Sequence, residues 1–145
     1  MNTAQRIELT QACLLGGAIG DALGAPVESQ GWDRIVAQFG PDGVSDLLGH
    51  GGVRGGVSGA TQTMLFTAEG MLRAYVRIQE RDIYDPVAVV HHALMRWAVT
   101  QGVTPTVAGV DRNNGLVVNP QLHQRHLPDE TCLKALQQAP AFTSL

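Results

Sequence analysis

The chain is poor in cysteine. Cys13 and Cys132 stand far apart and outside any Cys-x-x-Cys pair. That usage fits a reducing compartment and argues against a disulfide scaffold or a structural zinc site, although one bridge between the two stays open. Cationic residues are also few. Lys and Arg total 10 against 13 Asp and Glu, the net charge is −3 at pH 7, and no block of Lys or Arg is present. Nucleic acid is therefore not an expected partner, because phosphate neutralisation needs clustered cations. No stretch approaches the ~20 apolar residues of a membrane span. Near the N-terminus, Arg6 and Glu8 precede the short apolar run ACLLGGAIG, which Asp21 soon ends. A secretory signal needs a basic start and an uninterrupted apolar centre, so the cytoplasm is the expected location, with no membrane partner.

What is present is a globular composition. Of the 145 residues, 44% are apolar and 16% charged. That predicts one domain, residues 1–145, with enough volume for a core. Helix signals dominate. From about Arg6 to Leu23, the residues Leu9, Ala12, Cys13, Leu15, Ile19 and Leu23 recur at helical spacing. Gly16, Gly17 and Gly20 interrupt this helix, each at a cost of up to about 1 kcal/mol against alanine, which suggests a close backbone approach by a helix or ligand. WDRIVAQF reads as a second, short helix with Gly40 as its C-cap. A long loop with six glycines between Gly40 and Gly59 follows. A third helix runs from about Ala60 to Gln79, with Met64, Leu65, Ala68, Met71, Leu72, Tyr75 and Val76 as its expected core face. Asp85 and Pro86 open a fourth helix that buries Val90, Leu94 and Trp97 and closes at Gly102. A last helix spans about Asp129 to Gln138. The expected fold is all-α, a compact orthogonal helical domain.

Candidate chemistry is sparse. GHGGVRGG has neither the Gly-Lys-Ser/Thr ending nor a preceding strand, so it reads as a plain flexible loop rather than a phosphate cradle. His91 and His92 are adjacent on one helix and diverge by about 100°, which does not suit one metal. His123 and His126 lack a Cys, Asp or Glu at ligand spacing and read as solvated histidines. No Ser-His-Asp arrangement is marked. Glu28 and Asp33 are the carboxylates that follow the glycine-interrupted helix.

Four stretches carry a resemblance. GGAIGDALGAPVE (Gly16–Glu28) resembles the first motif of the ADP-ribosylglycohydrolase family, the dinitrogenase-reductase-activating type of helical hydrolase. SGATQTMLFTAEGMLRA (Ser58–Ala74) resembles its second. AVVHHALMRWAVTQG (Ala88–Gly102) and NPQLHQRHLPDETCLKAL (Asn119–Leu136) are similar to the stretches that follow, in order and over nearly the whole chain. The resemblance implies a fold like the N-terminal half of that family's domain. It also implies removal of ADP-ribose from modified side chains with two magnesium ions, bound partly by a Ser or Thr followed by Asp-Asp. Ser58 matches the hydroxyl, and Glu28 matches the glutamate that ends the first motif. Gly59 and Ala60 stand where both aspartates belong, and neither supplies a side-chain oxygen for magnesium. A later Asp-x-Asp-Thr motif of the family does not occur before Leu145, so the sequence reads as a truncated member.

These departures turn the expectation from hydrolysis to binding. The chain is expected to be a pseudoenzyme without catalytic residues, metal or cofactor, with Glu28, Ser58, Gly59 and Ala60 as a vestigial site. Some relatives are immunity proteins, which implies a cognate bacterial ADP-ribosyltransferase toxin domain as the protein partner, neutralised by occlusion of its active site. The alternative is the N-terminal half of a split or fragmentary magnesium-dependent ADP-ribosyl hydrolase. The long loop Ser29–Ser58 is the expected binding surface, with Trp32 as aromatic anchor and Asp33 and Arg54 as charge partners.

Overall fold

A computed structural model describes residues 1–82, 84–105, 107–125, 128 and 130–138. They group into two compact units, Met1–Thr61 and Gln62–Leu145.

The first unit opens with α1 (Thr3–Gly24). Asn2 and Gln5 close its N-terminus as a capping box, each side chain accepting from the other's backbone N–H at 2.9 Å. A 3-10 turn (Ala25–Val27) leads to α2 (Trp32–Phe39), which Gly40 caps by donating its N–H to the Val36 carbonyl. The glycine-rich segment is not a featureless loop. Gly49–His50 (β1) pairs antiparallel with Val53–Arg54 (β2), Gly49 opposite Arg54 and His50 opposite Val53. Gly51 and Gly52 turn the hairpin with φ of 58° and 81°. Two consecutive left-handed residues match the twist of the strands, and only glycine takes them without steric cost.

Helix α3 (Gly59–Arg81) begins at the end of the first unit and continues into the second. There it is joined by α4 (Pro86–Thr100), 3-10 turns at Gly115–Val118 and Pro120–His123, and α5 (Glu130–Gln138). The Asp85 side chain caps α4 by accepting from the Ala88 N–H at 3.0 Å, and Pro86 follows as expected. Phe66, Met95, Trp97, Ala98, Val117, Leu133 and Leu136 form the core of this unit. The buried Gln62 amide is paired within this unit. The Gln62 Oε1 accepts from Trp97 Nε1 at 3.1 Å and Gln101 Nε2 at 2.9 Å, and its own Nε2 donates to the Gln124 carbonyl at 3.0 Å. Burying these amides without partners would cost about 1–3 kcal/mol each.

Two expectations are corrected. The face of α3 that carries Met71, Leu72, Tyr75 and Val76 is exposed, not core. The buried side instead holds Gln62, Phe66, Gly70 and Ala74. Gly70 explains the choice, because a Cβ there would lie 2.8 Å from the Val90 Cα and 3.0 Å from the Ala93 Cβ. Here α3 and α4 meet backbone to backbone. Conversely, a Cβ on Gly16 or Gly20 would meet nothing within 4 Å among the described residues, so the close approach expected there has no counterpart within the first unit.

Candidate functional site

The chemistry-bearing residues of the first unit converge where α1 ends and α3 begins. Asp21 lies one turn before the end of α1, and its carboxylate faces the first residues of α3. Its Oδ2 accepts from the Ser58 N–H at 2.7 Å, the Thr61 N–H at 3.3 Å and the Thr61 hydroxyl at 2.6 Å. Its Oδ1 accepts from the Ser58 hydroxyl at 2.7 Å. Ser58 in turn accepts the Ala60 N–H at 3.1 Å, so its side chain caps α3 while held by Asp21. A helix start leaves backbone N–H groups unpaired and carries partial positive charge, and an internal carboxylate answers both needs.

The electrostatics of Asp21 follow from this arrangement. Partial burial pushes its pKa up, but hydrogen bonds from the Thr61 and Ser58 side chains and from both backbones outweigh it. The carboxyl is held below its ordinary value. Asp21 is therefore a structural anion at neutral pH, poorly suited to give or take a proton.

Asp21, Gly24, Ala25, Glu28, Ser58 and Ala60 line a cleft of about 300 Å³. Three of these four expected positions, Glu28, Ser58 and Ala60, are thus brought together, and Gly59 sits buried between Ser58 and Ala60. Sequence reasoning passed over Asp21 as a site residue. The signal was available: from Leu9 to Gly24 it is the one charged residue, and a charge on an apolar helix asks for a specific partner.

The cleft's donors do not suit magnesium. Glu28 is exposed, Gly59 and Ala60 have no side-chain oxygen, and Asp21 spends about four lone-pair positions on four hydrogen bonds. A hard cation that asks for near-octahedral oxygen ligation is not matched by this set. More widely, no group of three or more His, Cys, Asp and Glu among the described residues is placed to hold a metal ion.

The remaining candidates are placed as follows. Trp32 opens α2 and is 62% exposed, and Asp33 lies beside it in the first helical turn. Arg54 ends the hairpin and donates to Asp46 at 2.8 Å in an exposed ion pair. The His91 and His92 rings meet edge to face at 6.3 Å, and burial followed by the charge of His92 pushes the His91 pKa down. The His123 Nε2 donates to the Val117 carbonyl at 2.6 Å, whereas His126 lies outside the described residues. Neither Cys13 nor Cys132 is in a disulfide.

No curated protein and no solved structure matches this sequence. The family model described as ADP-ribosylglycohydrolase matches residues 2–144, almost the full length, in agreement with the helical fold and the motif order. The chain belongs to the ADP-ribosylglycohydrolase family.

Proposed function

We propose that this chain is a non-hydrolytic member of its family that acts by binding a protein, as an immunity protein for a cognate ADP-ribosyltransferase toxin domain. The observation that carries the reading is the start of α3. Gly59 and Ala60 stand there in place of metal-binding carboxylates, and the Asp21 carboxylate at this helix start is saturated by hydrogen bonds from Ser58 and Thr61. Hydrolysis through metal ions needs them to orient and activate the reacting groups. A scaffold tied to ADP-ribose chemistry but lacking those donors retains recognition. Occlusion of the toxin's active site requires only a stable surface, and exposed Trp32, with Asp33 next to it and Arg54 on the hairpin of the same unit, supplies aromatic and charged contacts of the type that anchor interfaces.

The test has two arms. The purified chain, supplied with magnesium and an ADP-ribosylated protein, is expected to release no ADP-ribose above background. Added to the cognate transferase at near-equimolar ratio, it is expected to abolish NAD cleavage, and Trp32→Ala is expected to weaken that inhibition by about 1 kcal/mol or more. Measurable ADP-ribose release would overturn the non-hydrolytic reading. Full NAD turnover in the presence of excess chain would overturn the immunity role. Release that appears only on adding a chain with the Asp-x-Asp-Thr motif would favour the fragmentary hydrolase.

A further inference from the structure

The C-terminal half of α3 has a surface the proposed function does not use. Met71, Leu72, Tyr75 and Val76 are 54%, 64%, 62% and 46% exposed. The segment Met71–Arg81 contains Arg73, Arg77 and Arg81 against Glu80 alone, a net +2 in a chain whose total is −3. The arginines are scattered in sequence, but their spacing of four residues aligns them along one line of the helix.

Leu72, Val76 and Glu80 form one row at i, i+4, i+8, and Arg73, Arg77 and Arg81 form the adjacent row. The groove between the rows has a volume of about 360 Å³ and is lined by these six residues. Arg73 is engaged by Glu69 at 2.8 Å and also by Asn114. Among the described residues, Arg77 and Arg81 have no ion-pair partner. One wall of the groove is thus mainly apolar, the other cationic, and its two C-terminal cations are uncommitted.

We infer that this groove is a docking site for an acidic amphipathic helix of a partner protein. A groove between two four-residue rows accepts a matching side-chain ridge of another helix. Leu72 and Val76 ask that ridge for apolar residues. Arg77 and Arg81 ask the flanking row for Asp or Glu at the same spacing, because guanidinium groups pair carboxylates with directional, charge-assisted hydrogen bonds. An anionic bilayer shares the charge preference but would use a broad apolar face rather than a row-to-row groove. No residue is shared with Trp32, Asp33 or Arg54, so this site stands or falls separately from the immunity role.

The probe is a fluorescein-labelled helical peptide with leucines along one four-residue row and glutamates along the next. Its counterpart carries lysine in place of every glutamate. Fluorescence anisotropy with the full chain is expected to show saturable binding of the glutamate peptide, weakened by added salt, and no binding of the lysine peptide. Arg77→Glu with Arg81→Glu is expected to lower the affinity by about tenfold or more, with an unchanged far-UV circular dichroism spectrum. Leu72→Asp tests the apolar wall and is expected to lower it as well. Equal binding of both peptides, or unchanged affinity in the double variant, overturns the site. Binding of phosphatidylserine vesicles that the double variant abolishes, with the glutamate peptide ignored, overturns it in favour of a lipid surface.

Discussion

Helices α1 and α4 are both rich in apolar residues, yet they are anchored by opposite physics. The 22 residues of α1 bury only Ala22, and Leu9, Leu15 and Ile19 along it stay exposed. The 15 residues of α4 bury eight, Trp97 and Met95 completely. The tie of α1 to the start of α3 is ionic and directional, four hydrogen bonds into one carboxylate. The tie of α4 to α3 is apolar and close-packed, with a glycine removing the side chain that would keep the backbones apart. Apolar residues at helical spacing therefore announce a helix but not its burial, since burial needs an opposing surface of matching shape.

The largest test of this contrast is Trp97→Ala. It empties the centre of the second core and leaves the Gln62 amide without one partner, so a loss of about 3–5 kcal/mol is expected in urea denaturation. A loss below about 1 kcal/mol would mean that α4 is not held by packing. Gly70→Val comes next. Its side chain would press on the Val90 backbone, which cannot rotate aside, and a loss of about 1–3 kcal/mol is expected from overpacking.

The α1 anchor predicts something different, a dependence on pH. Asp21→Ala leaves the donors of buried Ser58 and Thr61 unpaired and is expected to cost about 1–3 kcal/mol at neutral pH. The folded pKa of Asp21 is depressed, so the unfolded chain binds the proton more readily. Its contribution is therefore fully present above the unfolded value of about 3.9 and is lost as pH falls through the lower folded value. Urea midpoints of the wild-type and Asp21→Ala proteins should converge across that acid range. A gap that persists unchanged at low pH would show that the carboxylate's charge is not what ties α1 to α3.

The smallest effect has the opposite sign. Gly16→Ala and Gly20→Ala add side chains into open space on a helix and are expected to stabilise by up to about 1 kcal/mol each, read as a raised melting temperature. Destabilisation by either would mean that a surface closes on α1 after all. Together with Gly70→Val, these substitutions separate glycines that permit packing from glycines that do not.

Much of the fold was legible because its signals are local. Caps at Asp85 and Gly40, a proline at the first turn of α4 and apolar periodicity place the five α-helices found among the described residues within a few residues of their observed ends. The hairpin was less legible, since two-residue strands carry no periodicity and only the paired glycines mark the turn. At the candidate site, Glu28, Ser58, Gly59 and Ala60 were found by motif, whereas Asp21 was not, because its partners lie 37 and 40 residues away in the chain.

The sequence by itself determined the helices, the family and the absence of side-chain oxygens at Gly59 and Ala60, because propensity, capping and side-chain chemistry are properties of residues and near neighbours. Only the tertiary structure decided which face of α3 is buried, which glycine is a contact and what Asp21 does. Each of those depends on atoms distant in sequence meeting within hydrogen-bonding or van der Waals reach, and no local pattern records that distance.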